Sequence, residues 1–127
     1  MTGCLAESLY LLESSLRTRG YSVCRMNGRT VHVTTSQGAK FDLSFLDGNR
    51  RVLVSNHVWV PPEDRGRGEG RRLLNLREVV AREAGVNLLM ATVHNTNKPE
   101  IHLLSTSGWK RLLNRRETKV SLWIKKL

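Results

Sequence analysis

The run Arg65-Gly66-Arg67-Gly68-Glu69-Gly70, followed by Arg71 and Arg72, has the composition of an anion-binding turn. Glycine takes left-handed backbone conformations freely and lets a ligand approach main-chain N–H groups. A helix that begins at such a turn adds the unpaired donors and partial positive charge of its first turn. Together these favour phosphate, and Arg65, Arg67, Arg71 and Arg72 surround the turn with full charges. The flanks fit. Val58, Trp59 and Val60 end a β-branched run that Pro61 and Pro62 stop, because proline has no N–H for a ladder. Leu73, Leu76, Val79 and Val80 then recur at helical spacing. Two familiar phosphate loops do not match. A Walker loop needs lysine and then Ser or Thr after its last glycine, where this chain has Arg71-Arg72. The dinucleotide fingerprint needs Gly-x-Gly-x-x-Gly, and these glycines are evenly spaced.

Few residues near the turn could move a proton. Asn56 shares a strand face with Val58 and Val60 and does not titrate at neutral pH. His57 is its neighbour, and strict alternation points it to the opposite face unless a bulge rotates it. His94 and His102 qualify by residue type alone, and Ser105 offers a hydroxyl. A histidine on a half-buried strand is more often a packing or surface residue than a base. Cys4 and Cys24 are too few for a disulfide framework and read as reduced thiols without a nucleophilic role. No residues are assigned to a metal. Trp59, Trp109 and Trp123 read as core and edge packing rather than a base-stacking platform.

The elements that must position these residues can be read in order. Leu5, Leu9, Leu12 and Leu16 make an amphipathic helix that ends near Gly20. Strands follow over Tyr21–Met26 and Thr30–Thr35, joined by an Asn27-Gly28 hairpin turn, then through Phe41, Leu43 and Phe45, and over Arg51–Val60. A helix over Gly70–Ala84 ends at Gly85. Val86–Val93 is apolar enough for a central strand. Asn97 and Pro99 start a short helix that Gly108 ends, and Trp109–Leu113 and Thr118–Lys125 form a last hairpin. No linker, repeat or low-complexity segment interrupts residues 1–127, which read as one α/β domain with a core of its own.

Composition adds a bias. The chain carries 21 Lys plus Arg against 11 Asp plus Glu, a net charge of +10. Up to Asp64 there are 7 basic and 6 acidic residues; from Arg65 onward there are 14 and 5. A polyanionic partner on the second half, such as nucleic acid, is implied beside the plain reading of a solvated basic surface. No long apolar run suggests a membrane span, and no signal peptide is read at the N-terminus, so a cytoplasmic protein is expected.

The glycine turn resembles the pyrophosphate loop of the GCN5-related N-acetyltransferases, the GNAT family. That pattern is Arg or Gln, two residues, Gly, one residue, Gly or Ala, after a strand and opening a helix. Arg65 to Gly70 matches it. A second likeness follows at the right distance, in Asn97, the helix through Ser107, and Gly108-Trp109. The resemblance is strongest from Val58 to Trp109 and implies a mixed, mostly antiparallel central sheet flanked by helices. It implies acetyl-coenzyme A as cosubstrate. The backbone of Arg65, Gly66, Arg67, Gly68, Glu69, Gly70 and Arg71 would hold the pyrophosphate, and that of Val58, Trp59 and Val60 the pantetheine arm. The same strand N–H groups would hold the developing oxyanion. Asn97 would reach the pantetheine or adenylate side.

The family's usual tyrosine acid corresponds to Leu104, and its usual strand base to Asn56. One helix precedes the meander, where the family has a strand and two helices. A slow direct transfer to an amine of a protein or small molecule is therefore expected, carried by positioning, with Ser105 or water serving the thiolate and no sharp dependence on a histidine. The rival reading is a GNAT-fold module without chemistry that binds nucleic acid, or a nucleic-acid-associated partner, through its basic C-terminal half, which includes Arg115, Arg116 and Lys119. Oligomeric state is left open.

Overall fold

The computed structural model describes residues 4–47, 49–115 and 119–127, with residues 113–115 described as backbone only. Helix α1 (Leu5–Thr18) leads into strands β1 (Ser22–Asn27), β2 (Thr30–Thr34), β3 (Lys40–Leu46) and β4 (Asn49–Trp59). A 3-10 turn, Pro62–Asp64, precedes α2 (Glu69–Glu83). Then come β5 (Leu88–His94), α3 (Lys98–Thr106), β6 (Lys110–Arg115) and β7 (Val120–Lys126). The strands form one sheet in the order β1-β2-β3-β4-β5-β7-β6. Every neighbouring pair is antiparallel except β4 and β5.

The three helices stop by the same device. Tyr21 N donates to Leu16 O, Val86 N to Ala81 O and Trp109 N to Leu104 O, each from the residue after a left-handed glycine. These bonds satisfy carbonyls that the last helical turn leaves open. One core holds the molecule together. Leu9, Leu12 and Leu16 of α1, Leu73, Leu74 and Val80 of α2, and Leu104 of α3 join one face of the sheet, formed by Val31, Val33, Phe41, Leu43, Phe45, Leu53, Leu89 and Trp123. Polar ties hold the helices to each other and to the sheet. Arg19 and Ser15 of the first helical segment reach Glu83, and Lys125 of β7 reaches Glu78 of α2 at 2.9 Å and the Ser107 carbonyl at 2.8 Å. The other sheet face, with His32, Asp42, Val54, Asn56, Met90, Leu122 and Ile124, is half-buried. Among the described residues no helix is long and apolar enough to cross a membrane.

Candidate active site

The parallel pairing of β4 with β5 is short. It runs from Val52 opposite Leu88 to Ser55 opposite Ala91 and goes no further. Beyond that rung each strand follows its other neighbour. β5 stays with β7 as far as His94 opposite Val120, and β4 stays with β3 as far as Trp59 opposite Lys40. The strands therefore diverge and open a cleft of about 190 Å³. Ser55 to Val58 line one wall and Ala91 to His94 the other, with Arg77 of α2 and Asn97 and Glu100 of α3 completing it.

A bulge contributes to the divergence. Between Asn56 and Trp59 the fourth strand spends three steps where β3 spends two, from Asp42 to Lys40. An extra residue bends a strand and re-aims its side chains. His57 absorbs the distortion at φ 56°, in the left-handed region that non-glycine residues rarely enter. Simple alternation fails here, and His57 is not on the face opposite Asn56. Asn56 is the register partner of Asp42, so the two share a face. The bulge turns His57 back to that face, where its Nδ1 lies 2.9 Å from Asp42 Oδ2. The other Asp42 oxygen is 2.6 Å from Nδ1 of His32, across the β2–β3 pair. A carboxylate can only accept, so both Nδ1 atoms carry protons when Asp42 is ionised, and a neutral His57 presents a bare Nε2.

The glycine loop follows the diverging end of β4 and leads into α2. Gly66 and Gly68 have φ of 77° and 80°, and Gly68 stands at the N-cap of α2 without a side-chain cap bond. A Cβ at either would meet nothing within 4 Å, so conformation, not crowding, calls for glycine there. Gly70 differs: a Cβ there would lie 3.4 Å from Leu103 of α3, and its smallness lets the two helices approach. The first-turn N–H groups of α2 are thus free of any side-chain cap and suit a pyrophosphate. The arginines are partly engaged already. Arg65 Nε donates to the Val60 carbonyl at 2.8 Å, Arg71 donates to Ser107 and Thr106 of α3, and Arg72 pairs with Glu69 at 2.6 Å. The Arg65 bond occupies the Val60 carbonyl, one of the groups assigned to the pantetheine arm. Asn97 caps α3 by accepting from the Glu100 N–H at 3.3 Å, and it also lines the cleft.

Other sequence-predicted groups fall elsewhere. Ser105 donates to the Ile101 carbonyl at 2.6 Å on the exposed side of α3 and does not line the cleft. Leu104 is 1% exposed, within the core. His94 lines the cleft and lies 2.8 Å from Thr96 Oγ1, whereas His102 is exposed and away from it. Trp109 and Trp123 are buried, and Trp59 is exposed beside Lys40. Among the basic residues of the second half, Lys125 is spent on Glu78, and the Arg111 guanidinium sits 5.0 Å from the centre of the Trp123 ring. Arg116 and the Arg115 side chain lie outside the described residues. Asp42, His32 and Arg77 were missed by sequence reasoning. The first two become visible only once strand register is known. Arg77 left a trace, as a charge within the stripe of Leu73, Leu74, Val80 and Ala81.

A strand that parts from its parallel neighbour, a glycine loop at its end and a helix opening on that loop define an acyl-coenzyme A-binding fold. The model of the Acetyltransferase (GNAT) family matches residues 19–109, and the chain belongs to that family. Acetyl-coenzyme A is the cosubstrate of this family. The L-amino acid N-acyltransferase MnaT of Escherichia coli is 31% identical over 77 residues, which is 61% of this chain and 44% of the relative. The chain thus spans less than half the length of the curated relative it matches. Among solved structures, an IAA acetyltransferase from Bacillus cereus superposes with a TM-score of 0.68 at 14% identity, covering 78% of this chain and 79% of that one. The yncA protein of Salmonella typhimurium, solved with its cofactor acetyl-CoA, gives 0.66 at 19% identity over 90% of this chain and 69% of that one.

Proposed function

We propose that the chain transfers an acetyl group directly from acetyl-CoA to a primary amine, with His57 as the base. Acetyl-CoA supplies the acyl group as an activated thioester. The first-turn N–H groups of α2, freed by Gly66 and Gly68, would take its pyrophosphate, and the backbone of Val58 and Trp59 at the end of β4, with the Val60 N–H, would align its arm. Asn97 stands at the opposite side of the cleft. Once deprotonated, the acceptor amine attacks the thioester carbonyl, and the N–H groups of the diverging strand offset the charge that develops on its oxygen. The C–S bond then breaks, and coenzyme A leaves as a thiolate that takes, through water, the proton shed by the new amide nitrogen. An α-amino acid is the acceptor class that the name of the Escherichia coli relative supports.

The single observation that carries the base assignment is the bulge. It turns His57 into the cleft wall and sets it against Asp42, so that Nε2 is free to take the ammonium proton. This replaces the expectation of a transfer without a dedicated base. The test is acetyl-CoA binding by calorimetry alongside turnover with a panel of primary amines, for wild type and His57→Ala. Binding should persist in the variant while kcat falls about 10²-fold or more. Undiminished turnover in His57→Ala would remove the base role, and a wild type that binds no acetyl-CoA would remove the whole reading.

A further inference from the structure

Arg77 stands in the apolar stripe of α2, between Leu73 and Leu74 on one side and Val80 and Ala81 on the other, and is only 2% exposed. Its contacts leave it incomplete. Nε donates to the Leu73 carbonyl at 3.1 Å, Nη1 donates to Ser55 Oγ, and the guanidinium lies 5.6 Å from the centre of the Phe41 ring. Nη2 is buried and has no hydrogen-bond partner among the described residues. Burial pushes the guanidinium down to about 10, with Glu100 opposing the shift through space, so it stays charged at neutral pH. A buried cation without a bonded anion is unfavourable, and an apolar side chain of similar size would serve packing better.

The place of the orphan donor points to its use. Ser55, held by Nη1, belongs to the last rung that joins β4 to β5. Arg77 itself lines the cleft that opens beyond that rung. The guanidinium therefore lies at the closed end of the cleft. Arg77 follows Glu69, the first residue of α2, by eight positions, which sets it roughly 12 Å along the helix from the phosphate-binding turn.

We propose that Arg77 forms a carboxylate-binding subsite at the closed end of the cleft, with Nη2 donating to one carboxylate oxygen of a substrate. This rests on the acetyltransferase reading above and extends it to substrate choice. A carboxylate supplies the missing acceptor and a directly bonded negative charge, where Glu100 of the same cleft acts only through space. A water or an amide carbonyl supplies only the acceptor. In that reading the coenzyme's pyrophosphate is claimed by the loop at the N-terminus of α2, about two turns before Arg77. Two sources share the required chemistry. One is a donor whose acyl group ends in a carboxylate, and the other is an acceptor that is itself an amino acid.

Calorimetry on the full chain separates them. In the donor arm, acetyl-CoA is compared with succinyl-CoA. In the acceptor arm, with coenzyme A bound, leucine is compared with isopentylamine, its decarboxylated counterpart. Wild type should bind the carboxylate-bearing probe about tenfold tighter in one arm, and that arm names the source. Arg77→Met, its fold verified by thermal unfolding, should level the two affinities. If Arg77→Met does not fold, Arg77→Lys takes its place and should narrow the difference without abolishing it. Equal affinities within both arms in wild type, a preference that survives in Arg77→Met, or one left undiminished in Arg77→Lys, overturn the subsite. If wild type binds no coenzyme A thioester, the acetyltransferase reading falls instead. The leucine comparison, run without coenzyme A, then decides the subsite alone.

Discussion

Asp42 Oδ2 lies 2.9 Å from Nδ1 of His57, although strict strand alternation would place the two side chains on opposite faces of the sheet. The contact exists because the fourth strand carries an extra residue between Asn56 and Trp59. The Asp42 side chain is 13% exposed and that of His57 80%. A shielded carboxylate thus anchors a ring that is itself largely open to solvent.

Asp42→Asn should reduce kcat by about tenfold to 10²-fold while leaving acetyl-CoA affinity unchanged, since an amide fixes neither the tautomer nor the ring as a carboxylate does. The readout is steady-state kinetics beside calorimetry. Parallel losses in kcat and cofactor affinity would mean that Asp42 serves the strand rather than the histidine. His32 shares the same carboxylate at 2.6 Å but does not line the cleft. His32→Ala should therefore keep most of the rate.

Much of this was legible in the sequence, because local chemistry dictated it. The strand, glycine turn and helix around Arg65 to Gly70 follow from proline, glycine and leucine spacing, and each element lies within a residue or two of its expected bounds. What eluded the sequence depends on pairing between distant segments. Nothing local to Asn56-His57-Val58 announces a bulge, and nothing near Phe41 or Leu43 announces that Asp42 will face a histidine on another strand. Leu104 teaches the same lesson. Its alignment with the family's tyrosine suggested a place at the chemistry, yet it is 1% exposed in the core. A tyrosine there would overpack the core. In the last strand Val120, Leu122 and Ile124 do share one face, but it is the half-buried one, while Ser121 and Trp123 on the other are buried.

Gly68→Val should weaken acetyl-CoA binding about tenfold or more, with the fold retained. At φ 80° a β-branched residue is strained by roughly 1–2 kcal/mol, and relief requires the loop to move its N–H groups off the anion. No neighbour would clash with the new side chain near its Cβ, so the loss in thermal stability should not exceed that backbone strain. Calorimetry checks the affinity. An unaltered affinity in a folded Gly68→Val protein would detach the loop from pyrophosphate binding.

A pH effect should come from the junction of the first two helices. The Glu83 carboxyl is held below its usual range, first by hydrogen bonds from Arg19 and Ser15 and then by the Arg19 charge. A depressed carboxyl stabilises the fold above its unfolded-state value, and that contribution is lost as pH falls through the folded-state value. Wild type should therefore melt higher than Glu83→Gln at pH 7, and the gap should close on acidification below the ordinary carboxylate range. Both Glu83 and Arg19 are partly exposed, so added salt should shrink the gap at pH 7 as well. Scanning calorimetry across pH reads this directly. A gap that persists at low pH would mean that Glu83 acts by packing or by a neutral hydrogen bond.

Two tryptophans allow one hydrogen bond to be weighed. Trp109 and Trp123 are 4% and 5% exposed, so replacing either by phenylalanine removes a similar apolar area from the core. Their indole nitrogens differ. Trp123 Nε1 donates to Ser121 Oγ at 2.9 Å, whereas Trp109 Nε1 is buried without a partner among the described residues. Trp123→Phe loses that bond and leaves the buried Ser121 hydroxyl with one partner fewer. It also weakens the stacking of Arg111 over the ring. Trp109→Phe removes an unmet donor, which offsets part of its packing loss. Trp123→Phe should therefore cost about 1 kcal/mol more than Trp109→Phe in urea unfolding at equal slope. Equal costs, or a larger one for Trp109→Phe, would show that the Trp109 nitrogen is satisfied in solution, with a buried water as the natural partner.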